Sequence, residues 1–247
     1  MTQYLNTIID RPVTDVRHFT SILKADATVK HAWTLVQKKA FRNPANNRWR
    51  IPARKGSVPL DAYDDNVTWT PRGNFQVPAF TSAPANAGKF NASIPNPGNV
   101  ISVLMNFWTS TIAGEAWSLT WASDASVIWG MPRRSTNYKS LALNATSTDL
   151  GAAAPVSEWG FMAAVIDLSN ATFALSLNGG AFDVATAVSG LTPKADANLT
   201  LMVGQGSASQ QFANGNISDL AIVAGDVRSM PVLMSAWNDY NLTGYAA

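Results

Sequence analysis

Trp159-Gly160-Phe161-Met162-Ala163-Ala164-Val165-Ile166-Asp167, and after it Phe173-Ala174-Leu175-Ser176-Leu177-Asn178-Gly179-Gly180, form the stretch on which the fold turns. In the first half Trp159, Phe161, Ala163 and Val165 recur at every second position. That is the period at which side chains of an extended chain return to one face. In the second half Phe173, Leu175 and Leu177 repeat the pattern and run into Asn178-Gly179-Gly180. A tight hairpin turn needs positive φ there, and Asn and Gly adopt it with least strain.

The same period extends outward in both directions. Ile101, Val103, Met105 and Phe107 alternate within Val100 to Trp108, and Trp117, Leu119 and Trp121 alternate with Ser118 and Thr120. Val127 and Trp129 follow, until Gly130-Met131-Pro132 interrupts the run. Leu199, Leu201 and Val203 mark a further strand, and Ile217 to Val223 the last long one. Short strands separated by polar turns, without helices between them, predict an antiparallel sandwich. Met230, Leu233, Met234 and Trp237 instead share a helical face, so a closing helix is expected over Met230 to Tyr240. Ser229 is its expected N-cap, and Pro231 fits the first turn.

The first hundred residues are less regular. Val29, Trp33, Val36 and Ala40 fit a helical period, while Trp33 and Leu35 also fit a strand. Asn43 to Arg50 and Phe80 to Pro97, rich in Asn, Pro and Ala, read as long loops or arms. At 247 residues the chain is expected to form one large sandwich domain over 18–247, preceded by an N-terminal arm over 1–17.

Apolar residues make up 47% of the chain and charged residues 14%, so Asn, Ser, Thr, Gly and Ala must cover much of the surface. Such a surface suits packing within an assembly. Cysteine is absent, which excludes disulfides and thiolate metal sites. Met1 to Asp10 lacks a basic start followed by an apolar run, and no stretch approaches the ~18–20 apolar residues of a membrane span. The expectation is a soluble protein made in the cytoplasm, in which the seven Asn-x-Ser/Thr sequons reflect an Asn- and Thr-rich β surface.

Charge is unevenly placed. Ten basic residues against the single acid Asp26 give Arg17 to Lys55 a net charge of +9. With a total of +2, the remainder carries −7. Lys38, Lys39, Arg42, Arg48 and Arg50 are therefore candidates for partner docking, with Phe41, Trp33 and Trp49 as apolar anchors. The expected partners are other virion proteins or a second copy of the chain, in keeping with a homo-oligomer. The basic residues are not interleaved with stacking aromatics as in nucleic-acid-binding modules, so nucleic acid is disfavoured.

The virion setting comes from a resemblance. Ser21-Ile22-Leu23-Lys24-Ala25-Asp26 followed by His31-Ala32-Trp33-Thr34-Leu35 resembles the opening of laminin G-like, concanavalin A-like jelly rolls of phage and bacterial proteins. The second half is a closer match: the Trp159 strand, the Asn178-Gly179 hairpin, Leu199-Thr200-Leu201-Met202-Val203-Gly204, and Gly215-Asn216-Ile217-Ser218-Asp219 before a C-terminal helix. The resemblance implies an all-β, antiparallel two-sheet jelly-roll sandwich with a short C-terminal helix and an N-terminal arm. Its members include glycan-binding modules, adhesins and virion surface proteins, and this chain is most similar to the phage members. These motifs serve turns and strand ends, so they report fold and not chemistry.

Signatures of catalytic or metal chemistry are few in the sequence. Glycoside hydrolysis needs two carboxylates flanking the scissile bond. Glu115 and Glu158, the only glutamates, lie far apart, and neither has an Asp two residues away. His18 and His31 lack metal-site spacing, and Gly204-Gln205-Gly206 lacks the third glycine of a phosphate loop. Asp61, Asp64 and Asp65 form an acidic cluster that calcium could use, although a polar turn before Trp69 is the plainer reading. Of the nine tryptophans, Trp33, Trp117, Trp121, Trp129 and Trp159 alternate like core residues, whereas Trp49 and Trp69 sit among loop residues and are the glycan-contact candidates. The expectation is a non-enzymatic phage virion protein, a decoration, collar or tail component, without metal or cofactor. The alternative is a carbohydrate-binding module that recognises a host-surface glycan.

Overall fold

The computed structural model describes residues 16–80, 88–110, 114–144, 146–154, 156–184, 187–204, 212 and 215–244, without the side chains of 16–18 and 241–244. Strands are numbered along the chain. One sheet has seven strands in the order β16 (Asp183–Val184), β15 (Thr172–Leu177), β14 (Glu158–Asp167), β9 (Val100–Thr109), β18 (Gly215–Ala224), β1 (Val29–Thr34) and β4 (Ala53–Lys55). The other has nine, in the order β13 (Thr146–Leu150), β12 (Lys139–Leu143), β11 (Val127–Met131), β10 (Trp117–Thr120), β17 (Asn198–Val203), β8 (Phe90–Pro95), β5 (Leu60–Ala62), β3 (Trp49–Ile51) and β2 (Phe41–Arg42). A separate ribbon pairs β6 (Thr68–Arg72) with β7 (Phe75–Ala79). Among the described residues every strand pairing is antiparallel. The chain is thus an antiparallel β-sandwich, as its sequence periods predict.

The main core lies between the sheets. Ile101, Val103, Met105 and Phe107 of β9 meet Trp117 and Leu119 of β10 and Leu199, Leu201 and Val203 of β17 there. A second core lies on the far side of the seven-stranded sheet, under helices α1 (Val16–Ala25) and α2 (Pro231–Gly244). Phe161, Ala163 and Val165 of β14 face that layer, while Met162, Ala164 and Ile166 face the main core. The alternation read from the sequence therefore separates two buried faces, and not a buried face from a wet one. In the outer core the Phe19 ring stacks on Tyr240 at 4.0 Å, and Trp237 stands edge-on to Phe19 at 5.2 Å and stacked on Phe161 at 5.9 Å.

The hairpin signal is met in full. Asn178 and Gly179 have φ of +51° and +72°, and the Gly180 N–H closes the turn on the Leu177 carbonyl at 3.0 Å. The Asn178 side chain also accepts from the Phe161 N–H at 2.8 Å, tying the turn to β14.

Three expectations need correction. Phe80 to Pro97 is not all loop, because Phe90, Ala92 and Ile94 bury one face of β8; Asn, Ser and Pro on the other face masked the period. Asn43 to Arg50 is a turn running into β3, not a long arm. Of the helix and the strand that the sequence leaves open around Trp33, Val29 to Thr34 takes the strand, since β18 supplies the pairing that local propensity cannot. Ser229 does not cap α2: its hydroxyl donates to the Asp226 carbonyl, and the first helical bond runs from the Met234 N–H to the Met230 carbonyl. The face bearing Leu233 and Trp237 does pack on the sandwich as expected. The expected boundary at 17/18 falls inside α1, and the rest of the arm, residues 1–15, lies outside the described residues. Among the described residues no helix is long and apolar enough to cross a membrane.

Trp237 is fully buried between both helices and β14, and among the described residues its Nε1 has no hydrogen-bond partner. Trp237→Ala should cost about 3–5 kcal/mol in chemical denaturation. Trp237→Phe should cost clearly less, because it removes the unpartnered N–H along with part of the ring. Equal losses for the two variants would show that ring burial does not hold α2 in place.

Candidate functional site

Among the described residues the helices cover the seven-stranded sheet only, which leaves the outer side of the nine-stranded sheet as the face for a site. Strand parity fixes which side chains point there. Leu60 and Ala62 of β5, Ile51 of β3 and Phe90, Ala92 and Ile94 of β8 point into the main core, so Asp61, Arg50, Asn91 and Ser93 point outward. Register then aligns them. Phe41 lies opposite Arg50, Arg50 opposite Asp61, Asp61 opposite Asn91, Asn91 opposite Met202, Met202 opposite Ser118 and Ser118 opposite Trp129. These residues form one transverse row across seven strands. A second row runs Ser93, Thr200, Thr120 and Val127 beside it.

At the edge of the sheet the row is open to solvent. Phe41 is 46% exposed, and Arg50, Asp61, Asn91 and Met202 are half-buried. The Arg50 guanidinium grips Asp61 through two bonds, Nε to Oδ1 at 2.6 Å and Nη2 to Oδ2 at 2.8 Å. This fork-to-fork geometry fixes both planes, and the Asp61 carboxylate holds the Arg50 pKa above the ordinary arginine value. At the far end Ser118 and Trp129 are buried, Trp129 beside Met131, Ala142 and Val127. The arrangement offers planar hydrogen-bonding groups, amide and hydroxyl side chains, and an exposed aromatic ring. Such groups match the hydroxyls and apolar ring faces of sugars.

The sequence-predicted residues take several positions around this surface. Trp49 and Trp69 are half-buried and pack edge-on against each other at 5.5 Å, beside the main core. Trp49 shares the inward parity of Ile51, so it supports the edge from within and does not project onto the open row. Arg42 stacks over Trp49 at 4.4 Å, donates to the Asn47 carbonyl at 2.7 Å and lies 3.9 Å from Asp65. The turn between β2 and β3 bends where Asn47 adopts φ of +57°. Lys38, Lys39 and Arg48 are exposed, and Lys38 lies over the Phe75 ring at 5.0 Å. Of the expected docking anchors, Trp33 is core: it is 1% exposed, and its Nε1 donates to the Val58 carbonyl.

The acidic cluster does not converge. Asp61 is paired with Arg50, Asp65 faces Arg42, and the Asp64 carboxylate accepts from the Asn66 N–H. Lys89, its ammonium 3.8 Å over the exposed Tyr63 ring, is pushed below the ordinary lysine range by burial, with Asp64 acting in the opposite sense. Among the described residues no three His, Cys, Asp or Glu side chains gather as metal ligands. Glu115 is buried beside β10, and Glu158 is exposed at the start of β14 in the other sheet. His31 is buried with its ring stacked on Trp33, and burial lowers its pKa. His18 has no described side chain, and Gln205 and Gly206 lie outside the described residues. Trp159 is half-buried on the helix side, and Trp129 is buried on the outer face of its sheet, while Ile128 takes the core position between its neighbours. Asn91, Ser93 and Thr200 escaped sequence reasoning; their only signal was outward parity, which needs the strand register to be read.

No protein-family model matches the chain, and no curated protein matches it by sequence. Solved structures do match in fold. Domain 4 of AbnA, a GH43 extracellular arabinanase of Geobacillus stearothermophilus in complex with arabinotriose, superposes with a TM-score of 0.57 at 14% identity, over 85% of this chain and 99% of that domain. The binding domain of botulinum neurotoxin DC in complex with SialylT gives 0.52 at 14% identity, over 85% of this chain and 52% of the other. Trypanosoma rangeli sialidase in complex with the inhibitor DANA gives 0.58 at 7% identity, over 96% of this chain and 38% of that enzyme. The chain thus has the fold of lectin-like, jelly-roll β-sandwich domains.

The five basic residues should differ in their effect on folding. Arg50→Glu sets two carboxylates directly across β3 and β5 and should destabilise by about 1 kcal/mol. Arg48→Glu, exposed and without a cross-strand acid, should stay within about 0.5 kcal/mol. Urea melts of the single variants measure both, and equal losses would show that the Arg50–Asp61 pair is not a structural contact.

Proposed function

We propose that this chain is a non-catalytic glycan-binding module that holds its ligand on the open face of the nine-stranded sheet. The observation that carries the reading is the register-aligned row of Phe41, Arg50, Asp61 and Asn91, with Ser93 and Thr200 beside it, on the sheet face that, among the described residues, no helix covers. Phe41 gives a sugar ring an apolar platform, and the Arg50–Asp61 fork and the Asn91 amide meet its hydroxyls. Trp49 and Trp69 hold the edge strands in place from beneath, so their contribution to the ligand is indirect. Matching domains solved with arabinotriose and with SialylT supply two instances of this fold in complexes with sugars. Binding without hydrolysis is favoured because Glu115 is buried, Glu158 is exposed at the start of β14 and Asp61 is committed to Arg50.

One further observation favours a second reading. Lys38, Lys39, Arg42 and Arg48 are exposed around the two-residue edge strand β2, with Phe41 among them. An acidic partner, a virion protein or a second copy of the chain, would dock there; the virion setting rests on the sequence resemblance to phage members alone. Co-purification with intact particles, lost on charge reversal of these lysines and arginines, is its test.

The glycan reading is tested by screening the protein against immobilised neutral and charged oligosaccharides and measuring Kd for any that bind. Phe41→Ala and Asn91→Ala should each weaken binding about tenfold, equivalent to about 1.4 kcal/mol, with an unchanged melting transition. Bound oligosaccharide should be recovered intact. Unchanged affinity in both variants would remove the site from the open face, and release of shortened sugar would overturn the non-catalytic reading.

A further inference from the structure

A cavity of about 620 Å³ lies away from the open face, where the chain crosses between the sheets. It is lined by Thr20, Ser21 and Lys24 of α1, Thr34 at the end of β1, Lys39 in the turn after it, and Pro52, Ala53 and Arg54 on the return from β3 to β4. Three lining residues are cations and none is an acid. Lys24 and Lys39 are exposed, and among the described residues neither has an ion-pair partner.

Arg54 differs from these two because it is fixed in place. Its Nη2 donates to the Thr20 hydroxyl at 2.5 Å, and its Nη1 donates to the Thr34 hydroxyl at 3.0 Å and lies 3.5 Å from Asp219. Thr34 in turn donates to Asp219 at 2.8 Å. Asp219 is 1% exposed and sits behind the cavity wall in the sheet, so it orients the guanidinium without presenting a carboxylate to the opening. A pre-oriented arginine flanked by two exposed lysines is the donor set that recognises an oxyanion. The volume exceeds that of a bare ion and falls within the range of small-molecule sites. Pro52 and Ala53 add an apolar wall.

We propose that this cavity binds a sugar-sized molecule bearing one oxyanion, a carboxylate, sulfate or phosphate ester, which Lys24, Lys39 and Arg54 hold. The site is separate from the open-face row and does not depend on its reading. Charge selects the ligand here, and the apolar wall receives the ring.

Isothermal titration of the full chain with glucose 6-sulfate, glucuronate, glucose 6-phosphate, glucose and inorganic sulfate tests this. At least one of the three charged sugars should bind with a Kd at least tenfold below those of glucose and of inorganic sulfate, and more weakly as salt rises. The double variant Lys24→Gln/Lys39→Gln alters only exposed side chains and should fold normally; it should lose that binding at least tenfold. Phe41→Ala should retain it in full, which separates this site from the open face. Failure of all three charged sugars to bind, equal affinity for glucose, equal affinity for inorganic sulfate, or unchanged affinity in the double variant would each overturn the proposal.

Discussion

The seven-stranded sheet is buried on both sides, and the rest of the molecule follows from that constraint. β9, β14 and β18 carry apolar residues at both parities: one set fills the space between the sheets and the other meets α1 and α2. Central strands of this kind have no wet face on which polar side chains could be placed, so a polar group within them is costly unless it finds an internal partner. Asp219 of β18 finds Thr34 on β1 and Arg54 on β4, a chain of contacts that stitches the sheet edge to α1 through Thr20. Among the described residues the helices that cover this sheet leave the nine-stranded sheet covered on one side only. Its outer parity is therefore free to be polar, and in Asn91, Ser93, Thr200 and Asp61 it is.

This layering explains which parts of the fold were legible in the sequence. Runs such as Val100 to Trp108 and Trp159 to Val165 announce strands because a period of two survives even when both faces are buried. The depth of burial was not legible, since Ser102 and Asn106 interrupt β9 like solvent-facing residues yet are fully buried. Ser102 is accounted for by its bond to the Gly225 carbonyl, a contact 123 residues away that no local pattern reveals. Strand β8 was missed for the converse reason: Pro95, Pro97 and the asparagines around it carry the composition of a loop. Its identity as strand comes from pairing with β17 along six positions. The open-face row is a further step removed, because it exists only once nine strands are placed in register.

The basic excess of the first third, read as one patch, resolves into separate tasks. Lys55 donates to the Leu23 and Lys24 carbonyls and to that of Asp26, capping the C-terminus of α1 where the helix dipole is negative. Lys30 donates to the Ala27 carbonyl in the turn that follows that helix. Arg50 is paired, Arg42 is stacked, and Arg54 is fixed between α1 and the sheet. A net charge of +9 along the chain does not become +9 of free field at the surface. It also protects the edge strand β2, which is only two residues long and carries an arginine, features that discourage pairing with another sheet.

The two surfaces differ in how their charges are compensated, and that difference sets what each can recognise. On the open face the guanidinium of Arg50 faces a carboxylate within hydrogen-bonding distance, so the pair has little net field and acts through its fixed geometry. A neutral, hydroxyl-rich molecule suits such a surface, because it needs aligned donors and acceptors and gains nothing from net charge. In the cavity beside α1 the acid is withdrawn behind the wall, and two of the three cations have no partner among the described residues. There the field is positive and only partly screened by solvent, so the ligand must bring the missing negative charge. A single substitution links the two designs in principle: exchanging Asp61 for a neutral residue would free Arg50 and turn the open face from a geometric recogniser into an electrostatic one. Selectivity on this scaffold therefore rests on where each aspartate stands relative to its arginine, in front of it at Arg50 and behind it at Arg54.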